Sequence, residues 1–206
     1  DSGWDVRRTS APDIDKDTEI RYRDGRLITT SDDNWDFALF SPMRDAPEMP
    51  YKITMKSRLK EWVDAPGYGI VFRGNKGNFC QIDRDDAEDD DGCFYRYFRI
   101  NITVDPGQHM RYSVKRIEYH DDRGRAKGKE IADYRDVDWA TDWDGWNTWE
   151  VKVYEDRFEV SVNGEYLGTY YDDQYGSKRQ YGILTSAYEY SPTVVEHEYF
   201  YVETID

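Results

Sequence analysis

Apolar and polar residues alternate with a period of two along most of this chain, and this alternation constrains the fold more than any other feature. In the segment Tyr51–Leu59, the residues Tyr51, Ile53, Met55 and Leu59 share one face, while lysine, threonine and arginine side chains take the other. This pattern is typical of a β-strand with one buried and one solvent-exposed face. Helical periodicity is scarce, and the one helical feature that we expect is a short turn at 136–141.

Turn sequences separate further segments of the same kind. Glu155–Arg157 joins the alternating segments Trp149–Val153 and Phe158–Val162, and Asn163-Gly164 forms a turn that tolerates positive φ before Tyr166–Tyr170. The other predicted strands are 26–30, 35–40, 68–73, 94–104, 110–119, 181–187 and 194–203. Roughly ten to twelve strands are too many for one flat sheet, so we predict an all-β chain with two packed antiparallel sheets, a β-sandwich.

The chain length of 206 residues suits one domain, and no internal repeat divides it. Aromatic residues make up 16% of the chain, which provides a sizeable core although only 38% of the residues are hydrophobic. We therefore expect residues 18–206 to form a single sandwich domain. Residues 1–17 are charged and contain a proline, which fits a loose tail, a first edge strand, or an arm that docks on another copy.

Acidic residues dominate the charge. The net charge of −15 repels nucleic-acid phosphates and anionic membranes, so we expect neither partner. The acidity serves solubility, or adapts the chain to calcium-rich or saline surroundings. Because the chain starts with Asp1 and not with Met, we expect a mature product whose leader was removed, or a trimmed chain, and a secreted or cell-surface location.

Several strand sequences resemble one known superfamily. Gly69-Ile-Val-Phe-Arg73 is followed by Trp146–Val153, by the hairpin Val162-Asn-Gly164 and by the closing strand Glu198–Val202. Over residues 26–203 the chain resembles the concanavalin A-like lectins and glucanases, especially their laminin-G-like and keto-disaccharide-hydrolase-like branches. The resemblance implies a jelly-roll sandwich with one concave sheet. Because this fold hosts lectins, glycosidases, lyases and adhesion modules, it does not by itself select a function.

The catalytic motifs of this superfamily are missing from the sequence. Laminarinase-type glucanases share a Glu-x-Asp-x-x-Glu strand for retaining hydrolysis, and no such string occurs here. In Gln81-Ile82-Asp83 an aspartate stands where jelly-roll polysaccharide lyases have histidine, and their Tyr-Lys-Ala-Gly strand is absent. We therefore expect a non-catalytic domain. A glycoside-processing enzyme of the keto-disaccharide-hydrolase-like type is the enzymatic alternative.

An acidic segment is the strongest candidate for metal binding. Asp83–Gly92 contains seven carboxylates in ten residues, and calcium prefers six to eight oxygen ligands. The candidate ligands are Asp85, Asp86, Glu88, Asp89 and Asp91. An exposed acidic loop tip is the alternative, because Ala87 breaks the Asp-x-Asp-x-Asp-Gly pattern; Asp142 and Asp144 are weaker candidates.

Cys80 and Cys93 flank the acidic segment and are the two cysteines of the chain. They form a disulfide across a hairpin, as an oxidising compartment would allow, or they are two buried free thiols.

Aromatic and cationic residues share one face of the predicted strand 94–104. Tyr95, Tyr97, Arg99 and Asn101 have one parity, opposite the apolar residues that we expect in the core. Further candidates for sugar contact near this face are Trp62, Tyr68, Arg73 and Tyr188. Lectins stack sugar rings on aromatic side chains and hold hydroxyl groups with polar ones, so this set predicts a glycan groove. Alternatively, the aromatic residues merely cover the sheet.

These patterns together favour a secreted, non-catalytic, carbohydrate-contacting β-sandwich, with calcium as an optional stabiliser. Besides the glycoside-processing enzyme, a second alternative is a self-assembling extracellular subunit of a filament, tube or surface layer. Its N-terminal arm would exchange strands with other copies.

Overall fold

In the computed structural model of the chain, the described residues form fourteen β-strands. The structure describes residues 4–8, 19–31, 37–42, 44–62, 66–74, 96–120, 126–187 and 192–206. The strands are β1 (Trp4–Arg8), β2 (Glu19–Arg23), β3 (Arg26–Ser31), β4 (Phe37–Pro42), β5 (Tyr51–Glu61), β6 (Gly67–Gly74), β7 (Tyr97–Val104), β8 (Met110–His120), β9 (Ala126–Asp136), β10 (Asn147–Val153), β11 (Arg157–Val162), β12 (Glu165–Tyr171), β13 (Gln180–Ser186) and β14 (Thr193–Thr204).

The strands form two antiparallel sheets of seven strands each. The front sheet has the order β1-β4-β13-β6-β7-β8-β9, and the back sheet has the order β12-β11-β10-β5-β14-β3-β2. Chain neighbours are often not sheet neighbours, since β14 lies between β5 and β3 and β13 lies between β4 and β6. The predicted two-sheet β-sandwich is therefore confirmed, and the described residues contain no helix.

Every strand segment predicted from alternation overlaps an observed strand; Arg96 and Ala187 lie just outside their strands, and parts of 35–40 and 94–104 fall outside the described residues. Two strands, β2 and β9, were not predicted, and β1 lies in the segment 1–17, for which a first edge strand was one of three interpretations. The alternation of β9 is broken because its register against β8 shifts at three places. The short turn expected at 136–141 is present as a single tight turn from Val137 to Ala140, closed by one N–H···O bond of 2.9 Å.

The N-terminal segment contributes an edge strand. Residues 4–8 pair with β4 in an antiparallel ladder at the outer edge of the front sheet. The rest of the predicted arm, 1–3 and 9–17, lies outside the described residues. Within the described part of the chain, no helix is long and apolar enough to cross a membrane.

The core lies between the two sheets and is built by the predicted alternation. In β10 and β11, each second residue is fully buried, including Trp149, Val151 and Phe158. Burying a side chain of this size contributes about 2 kcal/mol. Asn163 and Gly164, with φ values of 51° and 86°, form the predicted turn after β11.

A buried polar group links the two sheets through the core. His197 on β14 contacts Ser57 Oγ through Nδ1 at 2.6 Å and Thr29 Oγ1 through Nε2 at 2.9 Å. Thr29 Oγ1 in turn lies 2.7 Å from Thr185 Oγ1 on β13 of the front sheet. The ring of His197 is completely buried, and this burial lowers its pKa to about 3. The imidazole is therefore neutral at ordinary pH.

Candidate functional site

The face of the front sheet that points away from the core, here called the outer face, has the composition predicted from the parity of β7. Phe98, Ile100 and Ile102 point into the core, whereas Tyr97, Arg99 and Asn101 lie on the opposite parity. In the register of the sheet, Asn101 is paired with Gly69 on β6 and with Ser113 on β8. The middle of the outer face is therefore polar.

Glycine makes room for these polar side chains. A Cβ atom at Gly67 would lie 2.2 Å from Ser186 Oγ and 3.2 Å from Asn101 Oδ1. Ser186 and Asn101 therefore lean over β6 into the space that a side chain at position 67 would fill. Together with Ser113 they form a polar floor on the outer face.

Two atoms of this polar floor have unused hydrogen-bonding capacity. Asn101 Nδ2 donates to Tyr134 Oη at 2.9 Å. Asn101 Oδ1 and Ser113 Oγ are both buried, and neither has a hydrogen-bond partner among the described residues. A buried polar atom without a partner is rare in native proteins and commonly marks the position of a water or a ligand.

Tyr134 on β9 stands at the side of the polar floor with 45% of its surface exposed. The sequence did not identify it, because β9 lacks the regular alternation by which the other strands were found.

Ion pairs form the rim of the outer face on β8 and β9. Lys115 pairs with Glu130 at 3.1 Å, and Arg111 pairs with Asp136 at 2.6 Å and with Asp105 at 3.2 Å. The pKa of Asp105 is lowered, mainly by the backbone N–H of His109, with a further contribution from Arg111. Each of these carboxylates therefore lies beside a cation.

An apolar cluster adjoins the polar floor, and Tyr97 belongs to it. Five buried residues pack against one another there: Leu39, Val71, Tyr97, Ile117 and Leu184. Tyr97 is fully buried, and burial raises its pKa to about 12. The parity predicted for Tyr97 and Arg99 is confirmed, but Tyr97 has no exposed ring face and Arg99 is only 6% exposed.

Tyr68 does not lie on the outer face, and this corrects the prediction made for it. Its side chain points from β6 into the core and is fully buried, which raises its pKa. On β6, the residues Tyr68, Ile70 and Phe72 point inward, so the sugar contact predicted for Tyr68 is inconsistent with its position.

Arg73 is also buried and has a structural role. Its φ of 49° takes it out of the strand alternation, and its guanidinium donates to the carbonyls of Tyr154, Glu155 (2.8 Å), Asp172 (2.8 Å) and Gln174 (3.2 Å). These carbonyls belong to the β10–β11 turn of the back sheet and to the connection that leaves β12, so Arg73 joins one end of the front sheet to the back sheet. This position corrects the prediction that it contacts sugar.

Of the remaining predicted sugar contacts, Trp62 is not brought to the polar floor. Trp62 follows β5 in the back sheet and is partly buried against Trp143, with ring centroids 6.0 Å apart. Tyr95 and Tyr188 lie outside the described residues.

The predicted calcium ligands Asp85, Asp86, Glu88, Asp89 and Asp91, with Cys80 and Cys93, also lie outside the described residues. Within the described ranges, no three His, Cys, Asp or Glu side chains are grouped so that they could hold a metal ion. Asp144 and Asp142 share a hydrogen bond, which raises the pKa of Asp144. This pair by itself provides too few ligands for calcium.

The two seven-stranded antiparallel sheets define a class of fold, the concanavalin A-like jelly roll, as the sequence motifs predicted. Three solved structures show the similarity over nearly the whole chain. The carbohydrate-binding module CBM66 from Bacillus subtilis has a TM-score of 0.63 and 13% identity, covering 98% of this chain and 96% of that one. A legume lectin-like domain from Entamoeba histolytica has the same TM-score and identity, covering 99% and 91%.

The third is a glycoside hydrolase family 16 endo-glucanase from Bacteroides ovatus, with a TM-score of 0.60 and 8% identity, covering 98% of this chain and 96% of that one. At such low identities the similarity establishes the fold alone. No protein-family model and no curated protein matches the sequence.

Proposed function

We propose that this chain is a carbohydrate-contacting jelly-roll domain that binds a glycan on the outer face of its front sheet. The observation that carries the proposal is the polar floor beside Tyr134, where Asn101 Oδ1 and Ser113 Oγ have no hydrogen-bond partner among the described residues. Sugar hydroxyl groups can both donate and accept, so they would use such atoms. A half-exposed tyrosine ring beside them supplies a surface on which a pyranose can stack.

The described acids of this face support binding without cleavage. Retaining and inverting glycosidases both use two carboxylic groups that flank the scissile bond. Here Glu130, Asp136 and Asp105 are each engaged by a neighbouring cation, and the polar floor consists of amide and hydroxyl groups. The missing Glu-x-Asp-x-x-Glu string supports the same interpretation.

Secretion and calcium belong to the same proposal. A carbohydrate-binding domain outside the cell would meet polysaccharides, and the seven carboxylates of Asp83–Gly92 would hold calcium there. Both ideas rest on sequence, as does the disulfide between Cys80 and Cys93.

Affinity electrophoresis in gels that contain a panel of polysaccharides tests the glycan site. Replacing Tyr134 with Ala removes the ring and one partner of Asn101, and we expect about five- to tenfold weaker retention. Tyr134→Phe keeps the ring and should retain most of the affinity. Tyr171→Ala is the matched control, because Tyr171 is 75% exposed on the back sheet. Equal retention of Tyr134→Ala and Tyr171→Ala would refute this site.

Self-association is a second candidate function, favoured by the position of β1. This strand comes from the N-terminal segment and lies at the outer edge of the front sheet, where it pairs with β4. An edge strand can leave its own β4 and pair with β4 of another copy at little cost, because the same backbone hydrogen bonds are re-formed.

A further inference from the structure

The back sheet carries a compact cationic site on its own outer face, opposite the glycan floor proposed above. Glu196 on β14 lies between Ile28 on β3 and Arg58 on β5 in the register of the sheet. Its carboxylate receives hydrogen bonds from Arg58 Nε at 2.9 Å and Arg58 Nη2 at 2.7 Å, and from Arg26 Nη1 at 3.3 Å. Lys60 Nζ adds an ion pair at 3.1 Å.

Trp146 covers this group. The guanidinium of Arg58 lies 4.7 Å from the centroid of the Trp146 ring and that of Arg26 lies 5.3 Å from it, both within cation–π range. Since Arg58 and Arg26 belong to strands on either side of β14, a ring that contacts both reaches across Glu196. The side chain of Glu196 is accordingly only 6% exposed.

Three cations around one buried carboxylate leave an excess of two positive charges. Burial opposes the ionisation of Glu196, but the hydrogen bonds from Arg58 and Lys60 outweigh it and lower its pKa. The cations are not used up by this contact, because the side chains of Arg26 and Lys60 are each 42% exposed and that of Arg58 is 33% exposed. Each guanidinium also has N–H groups beyond those that Glu196 accepts.

We propose that this group, the Trp146 site, binds a carboxylate-bearing sugar residue such as a hexuronate at the end or branch point of a glycan. The carboxylate would pair with Arg26 and Lys60, and the sugar ring would lie against Trp146. The site is already organised, because Glu196 fixes the guanidinium of Arg58 and the indole packs on it. Because these side chains are already held in place, less of their conformational entropy is lost when a ligand binds.

The charge of the whole chain selects a single acidic sugar over a long polyanion. The net charge of −15 repels a dense polyanion such as a nucleic acid, whose charges extend far beyond the site. One carboxylate held within a few ångströms of the cations is much less affected, because the Debye length is about 8 Å at physiological ionic strength. The aromatic ring favours a sugar over a short acidic peptide, whose side chains offer carboxylates but no pyranose face.

Ligand-observed NMR titration with a matched pair of disaccharides tests the proposal. One probe ends in glucuronate, and its twin ends in glucose. We expect the wild-type chain to bind the glucuronate probe at least tenfold more tightly than its twin, and to bind it more weakly as salt is raised. Arg26→Gln should reduce the affinity for the acidic probe about tenfold, since it removes a charged hydrogen-bond donor but leaves the Arg58–Glu196 contact.

Lys152→Gln is the control for charge. Lys152 is exposed on the same face, paired with Lys52 of β5, six positions and about 20 Å along the strand from Arg58. It should leave the affinity unchanged. Any one of three results would overturn the proposal. These are equal binding of the two disaccharides, an equal loss of affinity in Arg26→Gln and Lys152→Gln, and binding of a tetra-aspartate peptide as tight as that of the glucuronate probe. Tyr134→Ala alters the other sheet, so failure of one site is distinguishable from failure of the other.

Discussion

Acid should destabilise this protein through one buried histidine. The pKa of His197 falls from an ordinary 6.5 to about 3, because the ring is desolvated in the core. In the unfolded chain the ring takes up a proton near pH 6.5, whereas in the folded chain it does not until about pH 3. The stabilisation is therefore complete above pH 6.5 and is lost progressively as the pH falls toward 3.

The size of this loss in unfolding free energy follows from the linkage between proton binding and folding. Each pH unit inside this window costs about 1.4 kcal/mol, so lowering the pH from 7 to 5 should remove about 2 kcal/mol of unfolding free energy. Most carboxylates titrate below pH 5, so the change in stability over this interval comes mainly from histidines. The full window would remove about 5 kcal/mol, which is comparable with the whole stability of many domains.

Urea unfolding, followed by tryptophan fluorescence at pH 7, 6 and 5, measures this loss. In His197→Gln the amide can still reach Ser57 and Thr29 but takes up no proton, so its stability should be nearly constant over the interval. His109→Gln is the control. The pKa of His109 is raised by its exposed contact with Asp138, so its contribution has the opposite sign and its removal should leave the acid-side loss intact. The same loss from pH 7 to 5 in wild type and His197→Gln would refute the burial argument.

Three further outcomes are expected. Arg73→Met should lower the unfolding free energy by about 3 kcal/mol or more, because it leaves four backbone carbonyls without their donor; a loss below 1 kcal/mol in urea unfolding would contradict its structural role. If Asp83–Gly92 binds calcium, millimolar calcium should raise the melting temperature by several degrees and a chelator should reverse the rise, whereas an unchanged temperature would exclude this stabilisation. If the chain assembles through β1, light scattering should show oligomers that disappear when residues 1–17 are deleted; oligomers that persist would exclude arm exchange.

The sequence by itself determined which residues share a face. In β5, β7, β10 and β11, alternation between core and surface is a local property, because successive side chains of an extended strand point to opposite sides. The placement of Asn101 opposite Phe98 and Ile100 could therefore be predicted. The fold motifs and the Asn163-Gly164 turn are local in the same sense. The inward position of Tyr68 also follows from parity, because Ile70 and Phe72 share it. Tyr68 was nevertheless assigned to the surface, as a single residue beside the motif Gly69–Arg73 that resembles the superfamily.

Only the tertiary structure decided which faces meet and which outward residues are available. Arg26 and Glu196 are separated by 170 positions, and they become neighbours because β14 inserts between β3 and β5. Tyr134 reaches Asn101 because bulges change the register of β9. Arg73 leaves the strand alternation because its φ is positive and carbonyls from the connections that follow β10 and β12 surround its guanidinium. Such contacts depend on the order and register of strands distant in the chain, which the packing of the whole sandwich sets and local alternation does not encode.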